Sequence, residues 1–168
     1  LHIKGPEDLW GGYVDHDFIA TKAISHGLLS PRASAPDGWS PLFCERVRKV
    51  VLNGLSVFAL EDARPAATRL LDSGPVRLKP VHACAGRGQE VIHNLKELDA
   101  VLARPDAGKL FNEGVVFEQD LQDVITHSVG QSFIGNHVIS YCGEQYLTQD
   151  GQGEDVYGGS NLLVVPGY

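Results

Sequence analysis

At 168 residues, with 21% charged and 43% hydrophobic residues, the chain has the balance of a globular domain that builds one ordinary core or two small lobes sharing a cleft. A formal net charge of -7 argues against a broad nucleic-acid surface, and the one locally basic run, Arg46-Val47-Arg48-Lys49, reads as a solvated helix face. No apolar run approaches the roughly 20 residues of a membrane span, and the start lacks the charged-then-apolar form of a signal peptide, so a cytoplasmic, membrane-free protein is expected.

The first forty residues are rich in Gly and Pro and weakly periodic. Tyr13 to Ile19 reads as a strand-like piece and Thr21 to Leu29 as a short helix. Ser40-Pro41 then offers a helix N-cap with proline at the first helical position, and Phe43, Val47, Val50 and Val51 make an apolar stripe that runs out near Gly54. Leu55 to Ala59 alternates as a short strand does. Glu61 to Leu71 clusters Ala66, Ala67, Leu70 and Leu71 on one helical face, with Pro65 expected in the first turn or at a kink and Gly74 past the end.

Val76 to Lys79 is the next expected strand, and Glu90 to Ile92 the one after, so a hairpin around Gly86 and Gly88 is predicted. Asn94 with Glu97 forms a variant of the capping box, and Leu95, Leu98, Val101 and Leu102 recur at helical spacing until Arg104-Pro105. Beyond them Val115 to Glu118, Thr126 to Phe133, Val138 to Tyr141 and Leu162 to Val165 are β-like pieces between Gly, Asn and Asp turn signals. Strands and helices mix without regular βαβ alternation, which makes the expected class α+β. The expected division is a loop-rich segment with a helix over 1–54, a small lobe over 55–121, and the start of a sheet lobe over 122–168.

Three cysteines, Cys44, Cys84 and Cys142, are far apart and lack CxxC spacing, so neither a disulfide framework nor a zinc site is indicated. There is no methionine, even at position 1, from which a fragment, or a sequence with dropped segments, is expected.

The segment that carries most chemistry runs from Gly74 to Ile92 and resumes at Gly114 to Leu121. Lys79 closes one short apolar strand, a glycine loop follows, and Glu118 closes another strand. Gripping a nucleoside triphosphate needs a cation at the phosphates, backbone N–H groups free to approach, and acceptors and donors for the base. Lys79, the glycines Gly86 and Gly88, and Glu118 with the amides up to Leu121 supply one each. Singly, each also fits a plain hairpin turn or a solvated strand end; their order raises the odds.

That order resembles the ATP-grasp superfamily, in which ATP lies between two α+β lobes. The likeness runs from Val57 to Phe133 and includes the strand ending Lys79-Pro80, the loop His82 to Gln89 and the hinge Val115 to Leu121. More narrowly, Phe18-Ile-Ala-Thr-Lys22, Arg77-Leu-Lys-Pro80, Gly86-Arg-Gly-Gln89, Ser128-Val-Gly-Gln131 and Val156-Tyr-Gly-Gly-Ser160 resemble a bacterial family of ATP-grasp-like proteins that carries only a domain-of-unknown-function label.

The resemblance implies an ATP-grasp-like fold of two small lobes with mixed and antiparallel sheets. It also implies ATP and Mg2+ as cofactors, a small-molecule substrate, and ligation of a carboxylate to an amine or similar nucleophile through an acyl phosphate. It places Lys79 on the phosphates, Gly86, Arg87 and Gly88 in the mobile loop, Glu118 and Leu121 at the adenine, and Lys22 as an earlier lysine.

Two departures stand out. The ribose-binding carboxylate is replaced by Val124-Ile-Thr-His127, leaving Asp123 as a displaced substitute, and the acidic residue with a Glu-x-Asn pair that holds magnesium in that superfamily is not found before Tyr168. An inactive nucleotide-binding module and a structural α+β domain are therefore kept as alternatives.

Other constellations carry less. His82, Cys84 and His93 lack zinc spacing, and Ser132 and Ser160 miss the Gly-x-Ser-x-Gly elbow. Glu144, Asp150, Glu154 and Asp155 read as an acidic hairpin tip, with Tyr141, Tyr146 and Tyr157 packing on the sheet beside it.

Overall fold

A computed structural model of the chain describes residues 3–5, 9, 12–84, 87–134, 136–153 and 155–167. Two units are present: Leu1–Ala83 with Gly88–Asp120, and Cys84–Arg87 with Leu121–Tyr168. Both are built on antiparallel sheets, and helices occur in the first, which bears out the α+β class.

In the first unit the sheet order is β1 (Gly54–Val57), β4 (Val115–Gln119), β2 (Val76–Pro80), β3 (Glu90–Ile92), each neighbouring pair antiparallel. The side-chain period of two divides these strands cleanly. Leu55, Val57, Val76, Leu78, Ile92, Val115 and Phe117 point to one face and are buried there against helices α2 (Leu60–Leu71), α3 (Leu95–Leu102) and α4 (Ala107–Glu113). The buried alanines at 63, 66 and 67 keep the middle of α2 free of bulk toward the strands, and Leu70 fills the core beyond them. Pro65 falls in the second turn of α2, where its missing N–H removes one ladder bond.

Helix α3 has the predicted cap. The Asn94 side chain accepts from the Glu97 N–H at 3.0 Å, and Glu97 accepts in return from the Asn94 amide at 2.8 Å and from the His93 N–H at 2.8 Å.

The opposite face of this sheet carries Ser56, Arg77, Lys79, Val116 and Glu118. Residues 16–39 cover part of it. Phe18, Ala23, Phe58, Val81 and Val116 form a second small core, closed by an aromatic cluster in which Trp39 meets Phe58 at 5.2 Å and Phe18 at 5.6 Å between ring centroids. The covering segment is tied to the β1 edge: Ser56 N–H donates to Gly27 O at 2.9 Å, Ser56 Oγ donates to Ala23 O at 2.6 Å, and Gly27 bridges Leu55 in parallel.

Several local expectations are corrected. Tyr13 to Ile19 is not a strand; Asp17–Ala20 and Lys22–Ser25 are successive 3-10 turns, the second capped by the Thr21 hydroxyl, which accepts from Ala23 N–H. The helix after Ser40 spans only Leu42–Val47 (α1), and its buried residue is Cys44; Val50, expected on the apolar stripe, is 82% exposed. Six residues cannot turn a continuous stripe inward, so apolar character there does not report burial. Helix α4 has no counterpart among the expected elements.

The second unit is a three-stranded sheet, β5 (His127–Ile134), β6 (His137–Gln149) and β7 (Asp155–Pro166) in that order. The last two strands extend far beyond the short pieces anticipated. Glu144 therefore lies within β6, opposite His127 and Asn161, and not on a hairpin tip; Asp150 is at the turn, Asp155 opens β7, and Glu154 lies outside the described residues. Tyr141 and Tyr146 pack as expected: each ring lies over a glycine directly opposite, Gly130 and Gly159, where an added Cβ would come 2.4 Å from the hydroxyl oxygen. A β-bulge sits between Tyr146 and Leu147.

Candidate functional site

Lys79 and Glu118 are placed on one face of the first sheet by register. Lys79 stands opposite Val116 and Glu118 opposite Arg77, so the two side chains are diagonal neighbours on adjacent strands. The Lys79 Nζ and Glu118 Oε2 atoms form a close ion pair whose side chains are 22% and 13% exposed, so it is sheltered yet open to solvent on one side.

The other carboxylate oxygen of Glu118 lies 4.0 Å from Nε2 of His26, which is 6% exposed. The His26 ring rests directly on Gly54, the register partner of Glu118; a Cβ there would come 2.8 Å from Nδ1 of His26 and 2.7 Å from the Phe117 carbonyl oxygen. Burial lowers the His26 pKa from its ordinary value; the Glu118 charge opposes that shift and the Lys79 charge adds to it. The imidazole is thus disposed to be neutral beside a carboxylate that already has a cation.

Lys22 reaches the start of the loop that follows β2. Its Nζ donates to the carbonyl oxygens of Pro80 at 2.8 Å and Ala83 at 3.0 Å. A lysine of the covering segment thereby braces the chain where it leaves the strand bearing Lys79. Arg77, next on the same face, donates from Nε and Nη2 to Oδ1 of Asp120, at 2.8 and 2.7 Å; the Asp120 side chain is fully buried.

Of the residues expected to bind a nucleotide, Lys79 and Glu118 are brought into contact, and Lys22 and Gly88 lie in the same unit. Gly88 has φ +66, a left-handed conformation that glycine adopts without strain. Arg87, Leu121 and Asp123 belong to the second unit. Arg87 N–H closes a turn on Cys84 O at 3.1 Å, Leu121 is 42% exposed, and Asp123 is exposed with a left-handed φ of 52. Gly86 lies outside the described residues.

Among the described residues no group of three or more His, Cys, Asp and Glu is gathered as a metal ion would require. His93, one of the histidines near the loop, is engaged with Glu97 at 3.0 Å.

His26, Arg77 and Asp120 were not singled out by sequence reasoning. The Arg77–Asp120 pair had a usable signal, since Arg77 lies in β2 two residues before Lys79 and Asp120 just past β4, two residues after Glu118. His26 had none, because it reaches Glu118 only through the folding of its own segment back onto β1.

No helix among the described residues is long and apolar enough to cross a membrane. No curated protein matches the chain. A family model described as "Protein of unknown function (DUF3182)" matches residues 1–168. The chain belongs, over its whole length, to the DUF3182 family.

Proposed function

We propose that this protein binds ATP in the manner of ATP-grasp proteins and is an ATP-dependent ligase that joins a carboxylate to an amine or similar nucleophile through an acyl phosphate. The observation that carries the reading is the Lys79–Glu118 pair at the root of a glycine-containing loop. A half-sheltered ammonium held by a carboxylate is a cation kept in position for phosphate without being buried unpaired. When phosphate oxygens take the ammonium, the carboxylate is released to accept from the amino group of adenine.

In this reading Lys79 meets the phosphates and Glu118 the base. The backbone at Gly88 covers phosphate oxygens, a role that the sequence resemblance also implies for Gly86, and Lys22 braces the start of the loop through the carbonyls of Pro80 and Ala83. The roles of Arg87 in the loop, Leu121 at the adenine and Asp123 at the ribose rest on the sequence resemblance alone. The chemistry ATP supplies is a γ-phosphoryl group for the substrate carboxylate; the nucleophile then displaces phosphate from the activated carbonyl carbon.

A second reading is a nucleotide-binding module without turnover. A purely structural α+β domain is the third.

Calorimetric titration with ATP, on the wild-type protein and on Lys79→Ala with its fold checked by circular dichroism, tests the reading. Affinity should fall by about 1–3 kcal/mol in the variant, the cost of a lost charge-assisted contact. Equal affinity in the two proteins, or no binding to either, overturns it. A phosphate-release screen with candidate acids and amines separates the ligase from the silent module.

A further inference from the structure

We propose that His26 is a positioning residue for Glu118 that takes up a proton when a nucleotide phosphate engages Lys79, so that binding at this site carries a proton in with the ligand. The inference rests on the nucleotide reading above and adds a regulatory property to it.

Glu118 has a neighbour on two sides. Oε2 is paired with the Lys79 ammonium on β2, and Oε1 faces His26 Nε2 at 4.0 Å. The carboxylate thus has one partner that a phosphate can draw away and one that is anchored, because the His26 ring is buried against Gly54 and the His26 backbone N–H donates to Ala23 O at 3.3 Å. The absence of a side chain at Gly54 is what lets the ring lie there.

The ionisable groups that face His26 are few. β4 contributes Glu118 and β2 contributes Lys79, while β1 (Gly54–Val57) has no ionisable side chain. Arg77, farther along β2, is engaged with Asp120. A phosphate that neutralises Lys79 removes the charge disfavouring a proton on the imidazole and leaves the Glu118 charge that favours it. Water or buffer supplies the proton, the unprotonated ring nitrogen receives it, and the resulting imidazolium holds Glu118 in the orientation the base needs. A histidine serving only as filler would not show this linkage.

The test is calorimetry with β,γ-methylene-ATP near about pH 7, where an unperturbed histidine is titrating, in buffers of different ionisation enthalpy. The wild-type protein should show a binding enthalpy that varies with buffer, reporting proton uptake, and His26→Asn should lose that dependence. Because the variant could fold poorly, the His26 ring resonances of the wild-type protein are titrated by NMR with and without the same analogue. Their midpoint should move upward on saturation, and affinity should tighten by at most about tenfold for each pH unit below neutrality, the limit for one linked proton. Binding with no buffer dependence, or an unmoved midpoint, overturns the His26 role and leaves nucleotide binding intact. No binding at all overturns both.

Discussion

Lys79 and Glu118 meet diagonally across β2 and β4 because the antiparallel register sets Lys79 opposite Val116 and Glu118 opposite Arg77. The pair lies on the face turned away from the helices, next to the buried Val116. Truncating one partner there leaves the other charge in a sheltered site with little to satisfy it.

Glu118→Gln and Lys79→Met should therefore each destabilise the protein, by about 1–3 kcal/mol after allowing for the solvent that reaches Lys79. The double variant Lys79→Met/Glu118→Gln should lie closer to wild type than either single change. Urea unfolding of the four proteins checks this; additive losses would show that the ion pair is not a coupled unit.

His26 makes stability depend on pH in a definite direction. Its folded-state pKa lies below the ordinary 6.5, with burial the largest cause, so as pH falls the unfolded chain takes the proton first. The contribution is intact above 6.5 and is lost as pH drops through the lower folded value. His26→Asn should flatten the stability profile between about pH 7 and 5. Unfolding midpoints across that range decide the matter, and a variant with the wild-type slope would refute it.

The cap of α3 predicts a separate acid-sensitive step. The Glu97 pKa is lowered first by the His93 backbone N–H and then by the His93 ring, so its stabilisation is present above the ordinary value of 4.5 and is lost as pH falls through the folded one. Asn94→Ala should cost about 1 kcal/mol, as a lost N-cap does. Thermal unfolding at neutral and acidic pH reads both effects; a Glu97→Gln variant that kept the full acid loss below 4.5 would contradict the assignment.

In the second unit, two glycines differ in what surrounds them. A Cβ on Gly143 would fall 1.8 Å from the Asn161 carbonyl oxygen, which is backbone and cannot swing aside, whereas one on Gly130 meets only the end of the Tyr141 side chain. Gly143→Ala should cost about 3 kcal/mol or more and Gly130→Ala nearer about 1 kcal/mol. Hydrogen exchange across β6 and β7 should show local loss of protection in the first and not in the second.

How much could be read in advance varied with the origin of each signal. Helix α3 was legible because its cap and its apolar spacing are both local. Strands β6 and β7 were read as fragments because Gly143, Gln145 and Thr148, and Gly158, Gly159 and Asn161, interrupt the alternation; pairing with neighbours carries the strands through those residues. Helix α4 escaped notice because Arg104-Pro105 and Gly108 read as a break, although Ala107, Leu110 and Phe111 stand at helical spacing and Ala107 and Phe111 are buried. At the site, Lys79 and Glu118 could be picked out because each closes a strand. His26 could not, since its place depends on a long-range fold-back with no mark in its own neighbourhood.

The strap formed by residues 16–39 is joined to β1 through residues 40–53, most of which are exposed. A shortened gene product beginning after Asn53 would retain every β-strand yet present Phe58, Val81 and Val116 to water as a sticky surface. Its failure to stay dispersed would reflect a removed cover and would not mean that the strands cannot assemble.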